Sequence, residues 1–217
     1  MRLLLAGGTG LIGGEVLRLG LKNGHEIMTV GRRPTGMASN EIVSSFDDLP
    51  QLPPADIAIC ALGTTIRQAG TQAAFRAIDE EAVSSFAKAA KAAGVDHFLV
   101  VTAVGASPDA SIFYSRVKGQ TEGQLMMMGF KRLDIIRPGL LLGDRKERRP
   151  IEVLLQHIAP ATDLLMLGKW RRYRSVQAAD AAHCLLGLAA SNEPGVYIHH
   201  FDDIMKVLQS PLQDVTK

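Results

Sequence analysis

The chain has 217 residues, nearly half of them hydrophobic, and a formal net charge of +2. That length suits one domain with a sizeable core, and so small a charge excludes the strong basic field of a dedicated nucleic-acid or membrane-surface binder. No run approaches the ~20 apolar residues of a membrane-spanning helix. Cys60 and Cys184, the only cysteines, read as buried thiols rather than a disulfide or metal framework.

The first element is the most informative. Arg2–Ala6 is a short apolar strand, followed by Gly7-Gly8-Thr9-Gly10-Leu11-Ile12-Gly13 and an apolar helical pattern from about Gly10 to Lys22. The glycines read as Gly7-x-x-Gly10-x-x-Gly13 or as Gly8-x-Gly10-x-x-Gly13, the strand, turn and helix start of a dinucleotide-binding unit. The first glycine permits a sharp turn, Gly10 lets a pyrophosphate reach the backbone, and Gly13 lets helix and sheet pack closely. Free N–H groups at the helix N-terminus then face the phosphates. Asn23-Gly24 stops the helix. Leu3 to Ala6 is too short for a signal-peptide core, so a soluble cytoplasmic protein is expected.

Strand two, His25–Val30, runs into Gly31-Arg32-Arg33. An NAD-specific sheet ends this strand with an acid that grips the ribose. Two arginines stand there instead, suited to an adenosine 2′-phosphate through parallel charge-assisted hydrogen bonds. The expected cofactor is therefore NADP(H) in preference to NAD(H), with Arg32 ahead of Arg33; the alternative is a pair of solvated loop charges. Glu41–Val43 forms a short strand three, and the proline-bearing stretch Leu49 to Pro54 is a loop. Asp56–Cys60 is strand four. Leu62-Gly63-Thr64 after it either contacts the cofactor or forms an ordinary turn. A long alanine-rich helix covers Thr71–Ala93, and His97–Thr102 is a strand buried on both faces.

The helix Ser111–Met128 opens with Tyr114-Ser115-Arg116-Val117-Lys118, which puts Tyr114 and Lys118 on one face. A free tyrosine titrates at about 10, and a neighbouring ammonium favours its phenolate. In a partly desolvated pair, Tyr114 would pass a proton to or from a carbonyl oxygen as hydride moves, and Lys118 would also hold the nicotinamide ribose. Met126-Met127-Met128 read as core filling. Arg132–Arg137 is strand six, ended by Pro138-Gly139. Helices follow near Ile151–Ala159 and Ala178–Ala190, with a strand near Val196–His199. This alternation predicts an α/β fold, a Rossmann-type doubly wound parallel sheet with helices on both faces, in one domain over residues 1–217. Ligands belong beyond the C-terminal ends of its strands.

In this order, Gly7 to Gly13, Leu62-Gly63-Thr64-Thr65, His97 to Ala106, Phe113 to Gly119 and Arg137 to Arg145 resemble the atypical short-chain dehydrogenase/reductases. The likeness is to NAD(P)-binding members related to the Tat-interacting-protein oxidoreductase and the NmrA-like proteins. The resemblance implies a Rossmann-type fold, an NADP(H) site and catalytic roles for Tyr114 and Lys118. It puts Gly63, Thr64 and Pro138 in the cofactor cleft, beside a substrate pocket built mainly from residues 139–200, chiefly Leu140 to Arg149 and Trp170 to Ala182. The family's catalytic hydroxyl falls here on Ala103. Either Thr102 polarises the carbonyl through a local twist, since neighbouring strand residues point to opposite faces, or that donor is incomplete; losing one such donor can cost ~10²–10³ in rate.

The expected function is reduction or oxidation of a small carbonyl or alcohol. The alternative is an NADP(H)-dependent redox sensor or assembly protein with weak or no turnover, whose partner is a regulatory protein. The basic stretches Asp144 to Arg149 and Lys169 to Arg174 read as solvated loops around a pocket mouth rather than a patch for nucleic acid or an anionic substrate. His157 and His199-His200 lack metal-ligand spacing, so no metal site is expected.

Overall fold

The computed structural model describes residues 1–143, 163 and 166–209. β1 (Arg2–Ala6) leads to α1 (Leu11–Lys22), then β2 (Glu26–Gly31), β3 (Asn40–Val43) and β4 (Ile57–Cys60). After β4 come two short helices, α2 (Ile66–Ala69) and α3 (Gln72–Arg76), a π-turn (Ala77–Glu81) and α4 (Ala82–Ala92). β5 (His97–Val101), α5 (Phe113–Met127) and β6 (Arg132–Ile136) follow. The remainder comprises β7 (Leu141–Leu142), a 3-10 turn (Gly168–Tyr173), β8 (Val176–Gln177), α6 (Ala178–Ala189), β9 (Gly195–His199) and α7 (Phe201–Val207).

Seven strands form one sheet in the order β3-β2-β1-β4-β5-β6-β9, and every neighbouring pair is parallel. The chain winds outward from β1 through β2 to β3, then returns to β4 on the other side of β1. That reversal opens a crevice beyond the C-terminal ends of β1 and β4.

Side-chain alternation along the strands divides the core. Leu3, Leu5, Ile59 and Leu99 meet α1 and α6 on one face. Leu4, Ala6, Ala58 and Phe98 meet α4 and α5 on the other. Both faces are thus covered by helices, which is why these strands are nearly continuous apolar runs. Cys60 and Cys184 lie in opposite layers; both thiols are free and buried, and burial pushes each up to about 12.

A polar cluster interrupts the β5-β6-β9 end of the sheet. Asp134, fully buried, accepts from His97 Nε2 and His199 Nε2 at 2.7 Å and from Arg132 Nε at 2.6 Å. Burial alone would push this carboxyl up, but the hydrogen bonds from His199, His97 and Arg132 outweigh it and hold the group well below the usual carboxylate range.

The alanine-rich helix expected over Thr71–Ala93 forms as one helical run over 72–92, in which the π-turn joins α3 to α4 without a break and carries Asp79, whose side chain is buried. α2, β7, β8, the 3-10 turn and α7 had no expectation. Of the methionine run, Met126 and Met127 are exposed, Met127 at 81%; only Met128 packs on the core, so two of the three are surface residues rather than core filling. The helix expected near Ile151–Ala159, the stretch Asp144 to Arg149 and His157 lie outside the described residues.

Candidate functional site

The crevice is built first from backbone. Gly7 has φ +88°, a left-handed conformation that an L side chain rarely adopts, and a Cβ there would lie 2.6 Å from the Ala61 carbonyl. The turn closes through Gly10 N–H to Gly7 carbonyl at 2.8 Å. A Cβ on Gly13 would sit 2.1 Å from the Gly7 carbonyl oxygen, so only glycine lets α1 start this close to β1. Gly10 caps α1 without a side-chain hydrogen bond, and no acidic residue occupies the first turn. The leading N–H groups of α1 therefore carry uncompensated positive character at the crevice. Leu11 and Ile12 pack their side chains into the apolar layer, which leaves their backbone as the part available to a ligand.

A shallow open cleft lies against this turn. Gly7, Gly8, Thr9, Arg32, Arg33 and Leu62 all line it, together with Thr35 and Phe46. The structure thus brings together the glycine turn and both arginines, which are more than twenty residues apart in the chain. Both arginines are exposed, and among the described residues neither has a carboxylate partner. Glu41 accepts from Thr35 N–H at 3.0 Å, from the Thr35 hydroxyl and from Gly36 N–H at 3.2 Å, and these hydrogen bonds, led by the hydroxyl, hold its carboxyl below the ordinary range. They fix the loop that follows the arginines.

A second group of residues gathers beside β4 and α5. Lys118 is buried, and its Nζ lies 2.8 Å from Asp79 Oδ1. Burial alone would lower this ammonium, but the charge of Asp79, with a further contribution from Tyr114, raises it, so Lys118 stays protonated. Thr64 N–H donates to Asp79 Oδ2 at 2.9 Å, and a Cβ at Gly63 would be 3.6 Å from Lys118 Nζ. Gly63, Thr64 and Lys118 thus meet around one carboxylate. Tyr114 is half-buried, and its ring packs on Phe75 with centroids 5.4 Å apart.

Thr102 and Pro138 are placed differently. Thr102 is buried, and its hydroxyl donates to Glu122 Oε1 at 2.5 Å. Arg137 closes the same group through its Nε to Glu122 Oε1 at 3.0 Å and through a second bond to Oε2. That hydroxyl is thus engaged in a buried Thr102–Glu122–Arg137 network. Pro138 is buried and accepts Val104 N–H on its carbonyl at 3.0 Å, joining the segments after β5 and β6.

Sequence reasoning missed Asp79, Glu122 and Arg137. For Asp79 a signal existed: Phe75, Asp79, Val83 and Phe86 fall at helical spacing, so the acid interrupts an apolar stripe. Among the described residues, no group of three histidines, cysteines, aspartates or glutamates is arranged to hold a metal ion, and no helix is long and apolar enough to cross a membrane.

No protein-family model matches the chain. It is similar to protein HTATIP2 of Rattus norvegicus, 40% identical over 119 residues that cover 53% of this chain and 49% of that protein. The match therefore spans about half of HTATIP2. Protein FMP52 of Coccidioides immitis is 30% identical over 210 residues, covering 86% of this chain and 85% of that protein. Among solved structures, human epimerase family protein SDR39U1 with NADPH superposes with a TM-score of 0.68 at 23% identity, over 92% of this chain and 74% of that one. The likeness is one of fold. The FMP52 relatives are named as mitochondrial proteins, which overturns the expectation of a cytoplasmic location.

Proposed function

The chain belongs to the atypical short-chain dehydrogenase/reductases, the family of FMP52, and from that premise we propose that it is an NADP(H)-dependent oxidoreductase acting on a small carbonyl or alcohol. The observation that carries the reading is the meeting of two groups at one switch point. A glycine turn with an uncapped helix start faces two arginines that have no carboxylate partner among the described residues, and a buried lysine stands one helical turn from a half-buried tyrosine.

The residues fit a phosphorylated dinucleotide. The cradle where side-chain atoms at Gly7 and Gly13 would collide with backbone suits a diphosphate on the N–H groups of Leu11, Ile12 and Gly13, the Gly10 N–H being used to close the turn. Gly8, Thr9 and Leu62 line the same cleft and would flank the adenosine. Arg32 and Arg33 would take a 2′-phosphate, and the absence of an acid at the end of β2 removes the repulsion such a group would meet. Lys118 would hold the nicotinamide ribose, with Gly63, Thr64 and Pro138 framing that end of the cleft. When bound, NADP(H) supplies hydride transfer. Tyr114 donates its phenolic proton to the carbonyl oxygen in reduction and accepts it back in oxidation. Thr102 is left out of this set, because its hydroxyl is held by Glu122.

One observation favours a second reading. With Ala103 at the position where the resemblance puts the catalytic hydroxyl, and Thr102 engaged by Glu122, Tyr114 is left as the proposed polariser among the described residues, and loss of one donor costs ~10²–10³ in rate. A protein that binds NADP(H), turns over slowly and signals its redox state to a regulatory partner fits this. The mitochondrial naming of the FMP52 relatives makes mitochondria the proposed setting for either reading, to be checked by cell fractionation.

The test is a panel of small aldehydes and ketones with NADPH, run on the wild type and on Tyr114→Phe. Removal of the phenol should lower kcat about 10²–10⁴-fold while NADPH binding persists. Turnover unchanged in Tyr114→Phe contradicts the proton-transfer role. Tight binding with no turnover on any carbonyl selects the sensor.

A further inference from the structure

The proposed chemistry gives Asp79 no task, yet its position is heavily determined. Its side chain is fully buried, paired with Lys118 Nζ at 2.8 Å and with Thr64 N–H at 2.9 Å. Its backbone carbonyl accepts the Thr121 hydroxyl at 3.0 Å. It lies within the π-turn Ala77–Glu81, a distortion that inserts an extra residue into a helix and is frequent at functional sites. Hydrophobic side chains of similar volume usually stabilise a core as well as a buried ion pair does, so such a pair is weak evidence for stability. What it does accomplish is to fix where a charge sits.

The charge fixed here is the ammonium of Lys118. Lysine carries three rotatable donors on a flexible stem, and a buried lysine without an anion would tend to lose its proton. Asp79 takes one side of the ammonium and Tyr114 lies close enough to act on it electrostatically. A Cβ at Gly63 would lie in ordinary contact with both groups, 3.4 Å from Asp79 Oδ1 and 3.6 Å from Nζ, so the turn after β4 packs directly against the pair.

We propose that Asp79 is a positioning residue of the cofactor site: it anchors Lys118 beside Gly63 and Thr64, so that the remaining ammonium donors face the nicotinamide ribose and Tyr114. This rests on the NADP(H) reading above. The anchor would act on the nicotinamide half of the cofactor and not on the adenosine half, which Arg32, Arg33 and the glycine turn would hold.

That asymmetry supplies the test. Calorimetric affinities are measured for NADPH and for adenosine 2′,5′-bisphosphate, which lacks the nicotinamide ribose, on the wild type and on Asp79→Asn. The amide keeps the shape but removes the charge. NADPH should bind about tenfold more weakly to Asp79→Asn, because displacing a positioned group by an ångström is costly, while adenosine 2′,5′-bisphosphate stays within about twofold. Asp79→Ala, whose side chain cannot reach Lys118, gives the same comparison should the amide variant fold poorly. Equal weakening of both ligands identifies a merely structural residue and overturns the proposal, as does no change in either. A wild type that binds neither ligand removes the NADP(H) reading itself, an outcome distinct from both.

Discussion

At Asp134, one buried carboxylate accepts from two imidazoles and a guanidinium, and its depressed titration makes it a pH-dependent stabiliser. The unfolded carboxyl titrates near ~3.9, and the folded one lies well below that. Its contribution is therefore complete above about pH 4 to 5 and is lost as pH falls through the folded value. Asp134→Asn should cost about 3 kcal/mol at pH 7, because it breaks a buried pair and leaves Arg132 uncompensated. Urea midpoints measured from pH 7 downward should show the gap between wild type and variant closing below about pH 4; a gap independent of pH would contradict this account. Asp134 was not legible as special in the sequence, and Asp79 only through the apolar stripe that it interrupts. The first sits in a strand pattern whose ends are charged, and the second stands beside Glu80 and Glu81, where a buried acid looks like one more solvated charge. Tyr114 and Lys118 were legible as a pair because helical spacing makes them neighbours; that Lys118 would be buried against an acid needed the fold.

The β1-turn-α1 unit was the most readable element, since its glycine spacing is set by the close approach of the turn to the helix start. Gly13 shows how close that approach is: its Cβ would overlap the Gly7 carbonyl oxygen at 2.1 Å. Gly13→Ala should therefore displace the start of α1, lower the thermal midpoint and abolish NADPH binding, measured by differential scanning and by titration. An alanine variant that keeps wild-type affinity would mean that the turn does not cradle the diphosphate. The helix after β4 was less readable. Its alanine-rich composition predicts the helical run but not the π-turn within it, where Asp79 is buried and its carbonyl accepts the Thr121 hydroxyl. Thr71, the N-cap of α3, stands where the sequence puts the start of the helix, while Thr65, the N-cap of α2, caps a short helix that precedes it and that the sequence reading did not expect.

At the scale of the molecule, the order β3-β2-β1-β4-β5-β6-β9 decides which distant segments become neighbours. The alternation of strands and helices foretold a doubly wound parallel sheet, and the crevice at the β1/β4 switch point follows from it. Beyond β6, the helix Ala178–Ala189 and β9 were legible, whereas β7 and β8, two residues each, and the 3-10 turn before β8 are too short for any periodicity to register. The sheet places Arg32 and Arg33 against the glycine turn, and that meeting underlies the cofactor assignment. The most direct test is a calorimetric titration of the wild type and of Arg32→Ser with NADPH and NADH. Wild type should bind NADPH at least about tenfold more tightly than NADH, a difference of about 1.4 kcal/mol, and Arg32→Ser should remove most of it. Equal or reversed preference in the wild type, or no binding of either dinucleotide, would contradict the account.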